Sequence, residues 1–97
     1  MESPDQQQVR ILLAEDDAAM RKAVKLNFVR EGWHVVEAEN GEEALALARQ
    51  HRLDAAVFDV MMPKLDGIAV CKSLRTEGSR LPILFLTAKN DGEDRVE

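Results

Sequence analysis

The sequence predicts an open α/β sandwich, a parallel sheet with helices on both faces. Three observations predict it. Apolar runs alternate with helical stretches in the order strand, helix, strand, helix. The inner apolar runs, "VRILLA" and "DAAVFDV", are continuous rather than alternating, as in strands buried on both faces. Acidic residues gather where those runs stop, at Glu15-Asp16-Asp17 and again at Asp59.

The first eight residues, "MESPDQQQ", are polar and patternless and read as a disordered leader. "VRILLA" (9–14) is the first strand. Met20, Ala23, Val24 and Phe28 then recur at helical spacing between Ala18 and Glu31, and Gly32 supplies the stop. "WHVVEA" (33–38) has the partial alternation of an edge strand, with Trp33 shielding that edge. "GEEALALARQH" (41–51) is helical, with Glu42 and Glu43 in its first turn and Arg49 and His51 in its last, as the helix dipole prefers. "DAAVFDV" (54–60) is the third strand. Ile68, Cys71, Leu74 and Arg75 mark a third helix ending near Gly78, with Cys71 expected in the core. "LPILFLTA" (81–88) is the most hydrophobic stretch and the fourth strand, and "NDGEDRVE" (90–97) reads as the opening of a fourth helix.

Composition narrows the function. Thirteen basic against eighteen acidic residues leave a net charge of −5, which disfavours a nucleic-acid surface on this segment. A lone cysteine permits no internal disulfide, so a reducing, cytoplasmic setting is expected. No apolar stretch is long enough to span a bilayer, so no membrane partner is expected. Ninety-seven residues suffice for one domain with a core.

In a parallel sheet the carboxyl ends of all strands share one edge, and ligands bind there where the strand order reverses. Glu15, Asp16 and Asp17 follow the first run, Asp59 ends the third, and Thr87 and Ala88 follow the fourth. Taken alone, the acidic triplet is an ordinary helix amino terminus. Its convergence with Asp59 and Thr87 makes a pocket of hard oxygen donors that calls for a cation, magnesium or manganese. A carboxylate beside such a cation suits phosphoryl transfer, the carboxylate serving as acceptor.

The stretches "ILLAEDD", "VFDVMMPKLDG" and "ILFLTAK", in this order and each at a strand end, resemble the receiver domain of bacterial two-component response regulators. The similarity runs from about Val9 to the last residue and implies a flavodoxin-like sheet of order 2-1-3-4. It also implies roles. Asp59 matches the phosphoacceptor; Asp16 matches the direct metal ligand, with Glu15 acting through a water; and Met61 offers its backbone carbonyl to the metal. Thr87 matches the switch hydroxyl and Ala88 the small residue beside it, while Pro63, Asp66 and Gly67 match the turn that shapes the loop. The implied protein is a regulatory phosphoacceptor rather than an enzyme. Its expected partners are a sensor histidine kinase and an output domain or downstream protein.

Two features depart from the pattern. Asp17 lengthens the acidic run and reads as the first helix's N-cap. The family's fifth strand, with the lysine that ends it, and its fifth helix have no counterpart in these 97 residues, so the expected domain (9–97) is incomplete at its carboxyl end. The fourth strand then becomes an edge through which copies could associate. A non-phosphorylated interaction module, or an inactive fragment, is the alternative. A phosphohydrolase is disfavoured because Met61 stands where such enzymes place a second aspartate. A flavin protein is disfavoured because the first loop is acidic where a phosphate cradle would lie.

Overall fold

The computed structural model describes residues 8–86. In chain order these form β1 (Arg10–Ala14), α1 (Ala18–Arg30), β2 (His34–Ala38), α2 (Gly41–Gln50), β3 (Ala55–Asp59), α3 (Gly67–Thr76) and β4 (Ile83–Leu86). All pairings are parallel, and the order across the sheet is β2-β1-β3-β4. The sequence reading of strand order therefore holds. Of the expected leader only Gln8 is described, and its side-chain amide donates to the Gly32 carbonyl at 3.3 Å. Thr87, Ala88 and the expected helix over 90–97 lie outside the described residues.

Strand order places the helices. The chain steps outward from β1 to β2, then reverses across β1 to reach β3. Right-handed crossovers made in opposite directions put their helices on opposite faces. Accordingly α1 packs on Ile11, Leu13 and Val57 through Val24 and Phe28. On the other face α2 and α3 pack over Leu12, Ala14, Ala56 and Phe58 through Ala44, Val70 and Leu74. Phe58 is fully buried, which stabilises the fold by about 2–3 kcal/mol and anchors the residue that follows it, Asp59.

One expected face is rotated from its predicted position, and a second departs at one residue. On α3 the residues that reach the core are Gly67, Val70 and Leu74. Cys71 is only half-buried, a correction to its expected core place, while Ile68 is 45% exposed and Arg75 is exposed. The stripe follows Gly67 because the helix presses its first turn against β3, where only a glycine fits. On α1 no residue is fully buried, and Ala23, expected on the inner stripe, is exposed. Among the described residues one helix covers this face and two cover the other, so this face is less enclosed. Trp33 sits at the foot of this face with its ring 5.4 Å from that of Phe28.

Asp17 caps α1 as read, accepting from the N–H groups of Ala19 and Met20. Asp66 accepts from Ala69 at the start of α3, and Asn40, a cap the sequence reading did not name, accepts from Glu43. Helices α1 and α3 both end in paired reverse bonds around a glycine of positive φ. Gly32 and Trp33 donate to Val29 and Phe28, and Gly78 and Ser79 donate to Arg75 and Leu74. Among the described residues β4 pairs with β3 alone, and its Leu84 is 67% exposed.

Candidate functional site

The site forms at the carboxyl ends of β1 and β3, where the sheet order reverses. Glu15 is the residue after β1 and Asp59 the last residue of β3. Glu15 is 3% exposed and Asp59 7%, the two buried acidic residues among those described, while Asp16 is exposed. Each presents a carboxylate oxygen, and these three oxygens lie within 4.8 Å of one another. An open depression of about 450 Å³ beside them is lined by Asp16, Met61, Met62, Pro63 and Asp66. A second depression, at the amino ends of β3 and β4, is lined by residues such as His51, Leu53 and Arg80 and contains no carboxylate.

Backbone contacts hold Glu15 in place. Its N–H donates to the Ala38 carbonyl on β2 at 3.1 Å, and its side chain accepts the Asp17 N–H at 2.9 Å. Burial pushes its carboxyl from the ordinary 4.5 up to about 7, opposed by the bond from Asp17 and reinforced by the charge of Asp59. Asp59 is raised as well, again by burial first, with the Asp16 charge adding to it; bonds from Glu15 and from the Met61 and Val60 backbones oppose the rise. The two carboxyl groups titrate as a pair, and we place the retained proton on Glu15. A buried pair of this kind is relieved either by a proton or by a cation.

Backbone contacts also hold Asp59, from the far side. The Gly67 N–H donates to the Val60 carbonyl at 2.9 Å, and a Cβ on Gly67 would lie 2.3 Å from the Asp59 carbonyl oxygen. Pro63 accepts the Leu65 N–H at 2.7 Å in a tight turn whose middle residue, Lys64, has φ 71°. That left-handed backbone costs a non-glycine residue about 1–2 kcal/mol. The Met61 side chain is 74% exposed.

Sequence reasoning located Glu15, Asp16, Asp59 and the loop residues, and the fold brings all of them to one edge. Thr87 and Ala88 are outside the described residues, so their placement stays an expectation. Two contributors were missed. Gly41 lets α2 abut the loop after Asp59: a Cβ there would sit 1.7 Å from the Leu65 carbonyl oxygen. The available signal was a glycine at the first position of an otherwise Ala/Leu-rich helix, where it lowers helix propensity. Arg21 donates to the Glu15 carbonyl at 2.8 Å, and no spacing in a single sequence announces it.

This geometry defines a doubly wound α/β domain with a carboxylate crevice at its switch point. The chain belongs to the response regulator receiver domain family, whose family model matches residues 11–97. It is 48% identical over 88 residues to response regulator MprA of Mycobacterium sp. strain KMS, and 46% identical to the MprA of Mycobacterium leprae. Those alignments cover 91% of this chain but only 38% and 39% of the relatives, so the chain spans about two fifths of the curated proteins it matches. Among solved structures, the receiver domain of a Francisella response regulator superposes with a TM-score of 0.82 at 35% identity, covering 89% of this chain and 71% of that one. TrrA of Thermotoga maritima, solved in complex with Mg²⁺-BeF, gives 0.81 at 31% identity, covering 89% and 75%. No helix among the described residues is long and apolar enough to cross a membrane.

Proposed function

We propose that this domain is a phosphorylation-dependent switch with Asp59 as phosphoacceptor. The observation that carries this reading is the convergence of the Glu15, Asp16 and Asp59 carboxylates at the ends of two adjacent strands. The donor set is all oxygen, with neither nitrogen nor sulfur, and suits a hard divalent cation. Asp16, Asp59 and the Met61 carbonyl would hold magnesium or manganese, with Glu15 acting through a water. The ion supplies, when bound, neutralisation of charge on the transferring phosphoryl group. That TrrA was solved with Mg²⁺-BeF supports the same reading for this related chain.

Asp59 is suited to its part because β3 holds it rigidly. Phe58 anchors one side and the amino end of α3 presses on the other. Its carboxylate oxygen attacks phosphorus in a phosphohistidine of a sensor kinase. The phosphorus–nitrogen bond breaks as the phosphorus–oxygen bond forms, and the released imidazole takes a proton from water. Thr87 would then hydrogen-bond a phosphoryl oxygen, with Ala88 leaving room for the movement. An output domain or separate protein would read the altered surface.

Incubation with acetyl phosphate and magnesium should give a hydroxylamine-labile label on Asp59, and Asp59→Asn should carry none. Label retained in that variant would remove Asp59 from the role. No label at all in the wild type would favour a non-phosphorylated interaction module.

The edge of β4, which among the described residues pairs with β3 alone, supports one partner beyond the kinase. A second copy could pair along that edge and cover Leu84 and Phe85, which are 67% and 43% exposed. Light scattering at rising concentration should show association of the 97-residue chain; a monomer at every concentration would dismiss it.

A further inference from the structure

The Glu15–Asp16 peptide is where the backbone leaves β1, so its orientation sets where both carboxylates point. One side chain reaches that peptide from outside the loop. The Arg21 Nη1–H donates to the Glu15 carbonyl at 2.8 Å, and the Arg21 backbone N–H donates to the Asp17 carbonyl at 2.9 Å. The guanidinium is itself fixed. Its Nε–H donates to Glu37 on β2 at 3.2 Å, its Nη2 lies 3.8 Å from Glu39, and its side chain is only 14% exposed. Lys25 occupies the second oxygen of Glu37 at 2.8 Å, which holds that acceptor in place.

Two cations meet two anions in this cluster, so Arg21 has little spare charge to lend the acidic pocket. What it offers is a rigid fork of donors that joins three segments: the loop after β1, the strand β2 and the residue beyond it. Lysine has one donor centre and cannot meet all three acceptors. We propose that Arg21 is a positioning residue for the metal site, holding the Glu15–Asp16 peptide against β2 so that Asp16 is presented beside Asp59. The inference rests on the metal reading above. Outer partners of metal ligands are worth about 10–100-fold in affinity, and an arginine acting on the ligand's own backbone belongs at the low end.

The test compares wild type, Arg21→Met and Arg21→Lys in the intact 97-residue chain. Calorimetric titration with magnesium should show about tenfold weaker binding in both variants. In the metal-free proteins, amide hydrogen exchange should be about tenfold faster at Asp17, whose N–H bonds Glu15, from loss of one charge-assisted bond. Exchange at Leu13 and Phe58 should stay at the wild-type rate. Full recovery in Arg21→Lys would show that charge, not geometry, is at work and would overturn the proposal. Equal acceleration at every amide would also overturn it, reducing Arg21 to a stabilising contact. A wild type indifferent to magnesium would defeat the metal reading instead. Selective acceleration at Asp17 would still show in that case that Arg21 holds the loop.

Discussion

Gly41→Ala should destabilise the fold by about 3 kcal/mol, the upper end of what overpacking costs. At an open position in a helix the same change gains up to about 1 kcal/mol, because alanine loses less backbone entropy than glycine. The sign reverses here because the added Cβ would lie 1.7 Å from the Leu65 carbonyl oxygen and 2.5 Å from its carbonyl carbon. Both are backbone atoms, so no rotamer change relieves the clash. Either α2 lifts from the sheet, losing Ala44 from the core, or the turn over Pro63–Leu65 moves. That turn joins Asp59 to α3, so magnesium affinity should fall together with stability. Urea unfolding of the variant reads the first effect and titration the second. A variant as stable as wild type would show that α2 and this loop do not meet as closely as described.

The metal-free protein should lose stability as pH rises from 4.5 to about 7, by on the order of 3 kcal/mol. The sign follows from where Glu15 keeps its proton. In that window the folded state still binds it, while the unfolded chain has released it. The folded state therefore holds more protons, and stability falls with each step upward. Below 4.5 both states are protonated, and above about 7 both are ionised, with the folded state carrying buried charge. Asp59, also raised, contributes a slope of the same sign. Glu37 opposes it at lower pH, because its bond from Lys25 holds its carboxyl below the usual range. Glu15→Gln isolates the effect, since it keeps an acceptor for the Asp17 N–H and removes the charge. This variant should unfold at higher urea than wild type above pH 7 and lose the Glu15 part of the slope, keeping the smaller part due to Asp59.

Magnesium should act in the opposite sense. Its ligands must be ionised, so its stabilisation grows across the same window. At ten times its dissociation constant it adds about 1.4 kcal/mol. Asp16→Ala should abolish that gain while leaving the metal-free protein no less stable, because one repelling charge has gone. A flat profile in wild type, or stabilisation by magnesium that survives Asp16→Ala, would mean that the three carboxylates do not form one electrostatic unit.

Local chemistry made much of this domain legible in the sequence. The continuous apolar runs of β1 and β3 state that those strands are buried on both faces, and the structure buries Leu12, Leu13, Ala56 and Phe58. Asp17 and Asp66 announce helix starts because a short oxygen-bearing side chain can reach the free N–H groups of a first turn. The acids at the ends of two apolar runs reveal the crevice, since parallel strands deliver their carboxyl ends to one edge.

Other features depend on which segments meet, and periodicity is silent about that. The α3 stripe follows Gly67, Val70 and Leu74 rather than Cys71, because contact with the Asp59 backbone sets how the helix is turned. Gly41 is indispensable only because Leu65, twenty-four positions away, lies against it. Arg21 serves the acidic loop only because β2 brings Glu37 and Glu39 beside α1. The sequence by itself determined the elements, their caps and the acids of the pocket, each set by interactions within a few residues. Tertiary structure alone decided the rotation of α3 and the backbone supports of the pocket. Those are steric and hydrogen-bonding relations between segments distant in the chain, which exist only once the sheet has assembled.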